Sequence, residues 1–235
     1  MTAPRTARER ARAELTREIK AEARRQVAAS GAQRLSLRAV ARALGMVSSA
    51  LYRYFPSRDD LLTALIVDAY DALGDSAERA ASAVPGGDLR ERWSACCHAV
   101  RDWARANPHE YALIYGSPVP GYRAPPETVG PAGRVALVIG GVLTDAWRAD
   151  RRRPAAGADR ATLTQPLAGQ AERVAMVIAP GVPAPVVART MIAWTQLFGM
   201  ISFELFGQLV GSADPADAFF SYAVDQMADY VGLPR

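Results

Sequence analysis

With 235 residues, half of them hydrophobic and 22% charged, the chain has the composition of a folded globular protein, which excludes a disordered or fibrous one and leaves room for one large or two small domains. Its two cysteines, Cys96 and Cys97, are neighbours that cannot easily bridge each other, which points to a reducing cytoplasm, and the basic opening MTAPRTARERARAELTREIKAEARRQ is the opposite of a secretory signal. The net charge is +4, but the first 60 residues hold 13 Lys and Arg against 6 Asp and Glu while the rest hold 15 against 18, so the basic excess sits at one end, as in chains that meet nucleic acid or an anionic membrane surface.

In chain order, nearly everything reads as helix. From Glu14 to Ser30 the apolar residues Leu15, Ile19, Ala23 and Val27 recur every four positions, a stripe that Gly31 ends. Ser36 is a suitable N-cap for a short second helix carrying Leu37, Val40, Ala41 and Leu44, which Gly45 closes. A third helix spans roughly Ser48 to Tyr54 and stops before Pro56. A long fourth helix opens at Ser57 or Arg58, with Asp59 and Asp60 in its first turn, where the helix dipole favours negative charge.

VPGGD, Val84 to Asp88, is a break. Helices follow over Leu89 to Ala106 and Pro108 to about Tyr115, then the four-proline loop GSPVPGYRAPPE, Gly116 to Glu127. Thr128 to Asp150 is helical, RRRPAAGAD from Arg151 is an exposed linker, and a helix near Leu163 to Ile178 ends at APGVPAP. The last two helices are Val186 to Val210 and Pro215 to Val231. The first of them is apolar almost all round, so it requires cover on more than one side. Arg189, Gln196, Glu204 and Gln208 argue against a membrane span and for a core face plus a partner subunit. In the final helix Phe220, Val224, Met227 and Val231 share one side, and Phe219, Tyr222, Gln226 and Tyr230 another. The sequence predicts no strand.

Two short helices joined by Gly45, Met46 and Val47 fit a helix-turn-helix, in which Val40, Leu44, Leu51 and Phe55 hold the pair together while Ser48, Ser49, Ala50 and Arg53 face outward. Small residues at a helix start allow close approach to base edges, Ala50 suits a thymine methyl, and Arg53 suits guanine or phosphate. Tyr52 and Tyr54 can donate to phosphate oxygens.

LSLRAVARALGMVSSALYRYFPSRDDLLTALI, Leu35 to Ile66, resembles the DNA-binding domain of the TetR family of transcriptional repressors, with the family's Leu-Tyr-x-x-Phe at Leu51 to Phe55 and its Ser-Lys as Ser57-Arg58. The resemblance implies an all-α homodimer with a variable C-terminal ligand domain that leaves a double-stranded DNA operator when a small-molecule effector binds. It also implies that Ser36 and Arg38 lie near phosphates, Ser48, Ser49, Ala50 and Arg53 in the major groove, and Tyr52, Tyr54 and Arg58 along the DNA backbone. Met46-Val47-Ser48-Ser49 departs from the family's Val-Ser-x-Gly, which shifts the cap of the recognition helix by one residue. WTQLFG, Trp194 to Gly199, resembles the Trp-x-x-x-His-Gly signature of one C-terminal subtype, with Phe198 in place of histidine.

The resulting organisation is a basic tail over residues 1–12, a helix-turn-helix domain over 13–60 and a helical ligand-binding and dimerisation domain over 61–235. Arg5, Arg8, Arg10 and Arg12 form either a free tail or an arm along the DNA. If Trp103, Tyr111, Tyr115, Trp147, Trp194 and Phe198 converge on one pocket, the ligand is flat and apolar. Phe203, Glu204, Phe206, Phe219, Tyr222 and Tyr230 are the candidate dimer contacts. Cys97 and His98 are helix neighbours that do not face each other, no His and Cys cluster has metal-ligand spacing, and no phosphate loop occurs, so neither catalysis nor a cofactor or metal is expected. The expectation is a ligand-responsive repressor without a membrane segment; the competing one is a helical small-molecule carrier or adaptor that does not bind DNA.

Overall fold

A computed structural model describes residues 6–149 and 163–235; Arg5 and the Arg151–Arg153 run lie outside them. Ten α-helices occur and no strand is found among the described residues: α1 Ala7–Ser30, α2 Leu37–Ala43, α3 Ser48–Leu51, α4 Arg58–Ala83, α5 Leu89–Ala106, α6 Pro108–Tyr115, α7 Val129–Ala149, α8 Gln165–Ile178, α9 Ala184–Leu205 and α10 Asp217–Val231. Two compact units result, the first Met1–Tyr70 with His109–Val129 and the second Asp71–Pro108 with Gly130–Arg235.

Two boundaries differ from the sequence pattern for identifiable reasons. The tail expected over residues 1–12 is helical from Ala7, because Thr6 and Glu9 form a reciprocal capping box in which each side chain accepts from the other's backbone N–H. The helix expected to reach Val210 stops at Leu205, because Gly207 adopts a left-handed φ of 79° and two bonds, Gln208 N–H to the Phe203 carbonyl and Gly207 N–H to the Glu204 carbonyl, close the end.

In the first unit, Ile19, Ala23 and Val27 of α1, Val40 and Ala41 of α2, Leu51 and Phe55, and Leu61, Leu62, Leu65 and Ile66 of α4 form one core. Leu113 and Ile114 of α6, with Val119 and Tyr122 of the proline-rich loop, pack on it. The Tyr122 and Thr63 hydroxyls are 2.8 Å apart, and Asp68 and Glu110 hold Lys20 and Arg24 of α1. The fold therefore adds α6 and its loop to the segment that the sequence marks as helix-turn-helix.

The second unit is built on α5, whose Trp93, Cys96, Cys97, Val100 and Ala104 are buried; Trp93 Nε1–H donates to the Val224 carbonyl at 3.1 Å. Phe220, Val224, Met227 and Val231 are the buried side of α10, as the pattern predicts. Gly140 of α7 lets the Ile178 carbonyl of α8 come so close that a Cβ would lie 1.9 Å from its oxygen. Arg134 of α7 pairs with Asp71, Asp75 and Glu78 along α4; these bonds, Glu78 foremost, raise the guanidinium pKa and hold the Glu78 carboxyl low. By length and composition alone α9 and the stretch Pro126–Ala149 would cross a membrane; α9 is instead packed in this unit against α5, α8 and α10.

Candidate nucleic-acid interface

Gly45 creates the site. Its φ of 66° turns the chain after α2, with Met46 N–H bonded to the Ala41 carbonyl at 2.8 Å and Gly45 N–H to that of Arg42 at 3.1 Å, a left-handed cap that a side chain would strain. Leu51 is wholly buried and Phe55 nearly so, which fixes one side of α3 and leaves the opposite side outward.

On that outward side Ser49, Tyr52 and Arg53 are exposed, with Tyr52 42% accessible, while Ser48, Ala50 and Tyr54 are half-buried. The helix is shorter than the expected Ser48 to Tyr54. After Leu51 the backbone tightens, with Arg53 N–H on the Ala50 carbonyl and Tyr54 N–H on that of Leu51. Val47 is the N-cap and supplies no side-chain bond, so the cap falls one residue before the serines, which remain free of capping duty. Ser36 does cap, accepting from Ala39 N–H at 3.4 Å, and Arg38 is exposed.

Arg42 was missed in the sequence pattern. It is exposed one turn after Arg38 on the same side of α2, and their four-residue spacing was the available signal. Arg58 has partners within the fold. Its guanidinium donates to the Ala32 carbonyl at 2.9 Å and the Gln33 carbonyl at 3.3 Å, because the start of α4 lies beside the turn between α1 and α2; it holds this turn while about a third of the side chain stays accessible.

The charge is sorted accordingly. Lys20 and Arg24 are paired with Asp68 and Glu110, Arg25 with Glu22 and Arg17 with Glu14. Among the described residues Arg34, Arg38, Arg42 and Arg53 are exposed without an ion-pair partner, and so are Arg8, Arg10 and Arg12 on α1 and Arg123, Arg148 and Arg173 farther along the chain. Arg38, Arg42 and Arg53 thus leave unneutralised charge on α2 and beside α3, where a polyanion would gain from it.

The other candidate residues fall elsewhere. Tyr111 and Tyr115 are in the first unit, their rings tilted with centroids 5.2 Å apart, with Tyr70 edge-on to Tyr115 at 6.0 Å; burial foremost raises the phenol pKa values of Tyr70 and Tyr115. Trp103, Trp147, Trp194 and Phe198 are in the second unit, where Trp194 and Phe198 are 4.6 Å apart and Trp147 lies against the α8 and α9 core. Of the candidate dimer contacts, Phe203, Phe206, Phe219, Tyr222 and Tyr230 are exposed. Glu204 is not: its carboxylate receives Arg101 Nε and Nη2 at 2.7 Å each, with Arg101 only 3% accessible. Met176, Val177, Ile192 and Val210 are further exposed apolar residues of this unit that the sequence did not single out. Both thiols are buried, which pushes Cys96 up to about 12 and Cys97 well above its ordinary value, so neither is a nucleophile near neutral pH.

Residues 19–65 match the family described as bacterial regulatory proteins, tetR family, and residues 93–227 match the tetracyclin repressor-like C-terminal domain. The HTH-type transcriptional regulators Rv1816 of Mycobacterium tuberculosis (strain ATCC 25618 / H37Rv) and Mb1846 of Mycobacterium bovis are each 45% identical over 191 residues, covering 79% of this chain and 78% of the relative. The crystal structure of SCO4313 is similar at a TM-score of 0.75 and 35% identity, over 94% of this chain and 98% of that one. PfmR of Thermus thermophilus, a TetR family regulator, shares the fold at a TM-score of 0.55 and 19% identity, over 92% and 99% of the two chains. This chain belongs to the TetR family: it is a transcriptional regulator with a helix-turn-helix DNA-binding domain.

Proposed function

We propose that the protein is a ligand-responsive repressor that binds a pseudo-palindromic operator as a homodimer and is released by a small, apolar or aromatic effector. The observation that carries the DNA side is the arrangement around α3. Leu51 and Phe55 hold the helix from within, Ser49, Tyr52 and Arg53 stand outward, and the neighbouring α2 carries the exposed, unpaired Arg38 and Arg42. In this reading Ser48, Ser49, Ala50 and Arg53 enter the major groove, while Ser36, Arg38, Tyr52 and Tyr54 hold phosphates. Arg58 serves the same surface indirectly, by holding the turn between α1 and α2.

The exposed aromatics of α9, its C-cap and α10 support a second copy of the chain as their cover, because Phe203, Phe206, Phe219 and Tyr222 are each roughly half or more exposed. Two-fold symmetry of the dimer then sets half-sites about one helical turn or more apart. The helix α4 contributes its start to the first unit and its remainder to the second, so it is the element through which an effector acts. A ligand that prefers the DNA-incompetent state shifts the population by no more than its differential affinity. Such a regulator works in the cytoplasm, where the chromosome is.

The test is selection of duplexes from a random pool by the purified protein, followed by binding at several salt concentrations. A recurrent inverted repeat, with affinity falling steeply as salt rises, supports the proposal. A protein that enriches no sequence and retains no duplex, yet keeps a small molecule, is the carrier and refutes it.

A further inference from the structure

The α-helical part of α3 has only four residues, no side-chain N-cap and a tightened exit. One turn of helix is unstable alone, and its last carbonyls need donors. Among the described residues the Arg53 carbonyl accepts from no backbone N–H; its donor is Arg12 Nη2 of α1, 3.4 Å away and 41 residues distant in sequence. The same guanidinium lies over the Tyr54 ring, 4.9 Å from its centroid. Arg12 thus touches two successive residues at the exit of the helix.

We propose that Arg12 is a positioning residue for the DNA-reading helix: its guanidinium clamps the Tyr54 ring and caps the Arg53 carbonyl, and so sets the direction in which the Arg53 side chain leaves the turn. This rests on the reading of α3 as the base-reading element. The chemistry asks for arginine. A planar cation can lie flat on a ring while its edge N–H donates in the plane, whereas a lysine ammonium is a point charge that cannot do both. A cationic arm along the phosphates makes the opposite demand, since charge alone suffices there.

The experiment uses the full chain with Arg12→Met, which keeps an apolar stem, and Arg12→Lys, which keeps the charge. Without DNA, hydrogen exchange of the Arg53, Tyr54 and Phe55 amides accelerates by at least about fivefold in both variants while the amides in the buried middle of α4 keep their rates. Unchanged exchange at the three amides overturns the clamp. With DNA, the probes are a duplex selected by the wild type and a scrambled duplex of equal length. Both variants lose about tenfold on the selected duplex and little on the scrambled one. Equal losses on both duplexes in Arg12→Met, a salt slope lowered by about 0.9 per subunit and full rescue by Arg12→Lys would make Arg12 a phosphate contact and overturn the proposal. A wild type that retains no duplex removes the DNA reading, and with it this role of Arg12, while the exchange rates still decide the clamp.

Discussion

Arg53 and Arg58 are five residues apart, both basic and both between the end of α3 and the start of α4, yet the structure gives them different partners. Arg53 is exposed without an ion-pair partner among the described residues. Arg58 bonds the carbonyls of Ala32 and Gln33 at 2.9 and 3.3 Å. Consider Arg58→Met and Arg53→Met. A charged donor on a neutral carbonyl is worth about 1.5 to 3 kcal/mol when buried. The Arg58 side chain is about a third accessible, the second bond is long, and water can reach the exposed Gln33 once the donor is gone. The nearby Asp59, 3.5 Å from Arg58 and itself half exposed, adds little. Arg58→Met is therefore expected to cost about 1 kcal/mol of unfolding free energy in urea titration. Its direct effect on the salt dependence of DNA binding should be small. Arg53→Met is expected to leave the urea midpoint within about 0.5 kcal/mol of wild type and to weaken specific binding by about 1 to 3 kcal/mol. The assays are equilibrium urea unfolding and duplex binding at several salt concentrations. If Arg58→Met leaves stability unchanged and lowers the salt slope by about 0.9 per subunit, Arg58 contacts phosphate and the carbonyl grip does not exist in solution.

Three further outcomes follow from the second unit. Gly140→Ala places a methyl 1.9 Å from the Ile178 carbonyl oxygen and should destabilise by about 2 kcal/mol or more, whereas Gly141→Ala, with open space, should stabilise by up to about 1 kcal/mol; thermal unfolding with the two signs reversed would refute the close approach. Glu204→Ala leaves the buried Arg101 with only exposed Asp217 and should cost about 3 to 5 kcal/mol, most of it recovered in Arg101→Met with Glu204→Leu; urea titration decides, and no recovery in the pair would show that the cost is not electrostatic. Cys96 and Cys97 stay neutral in the fold while unfolded thiols ionise above about 9, so labelling by a thiol reagent at pH 8 should follow global unfolding; rapid labelling of the native protein would contradict their burial.

Periodicity made most helices legible. Ile19, Ala23 and Val27 recur every four residues and are all buried, and α5 and α6 begin and end where the apolar pattern and Pro108 place them. The helix-turn-helix was legible because Gly45, Leu51 and Phe55 must occupy their places for two short helices to cross. Less legible were features that depend on what a residue meets. Gly207 ends α9 although Gly199 is carried inside the same helix, and nothing local distinguishes them. The Thr6 and Glu9 box turned an expected tail into helix through bonds three residues apart.

The sequence by itself determined the all-helical class, the basic end and the outward side of α3, because each follows from the spacing of apolar residues and from the composition of a contiguous stretch. Only the tertiary structure decided which arginines are free. Lys20 and Arg24 meet Asp68 and Glu110, Arg58 meets two carbonyls, Arg101 meets Glu204, and Arg12 reaches the end of α3. Those partners lie from 25 to 103 residues away in the chain. A side chain's charge is written in the sequence, but its availability depends on what the fold brings within hydrogen-bonding distance.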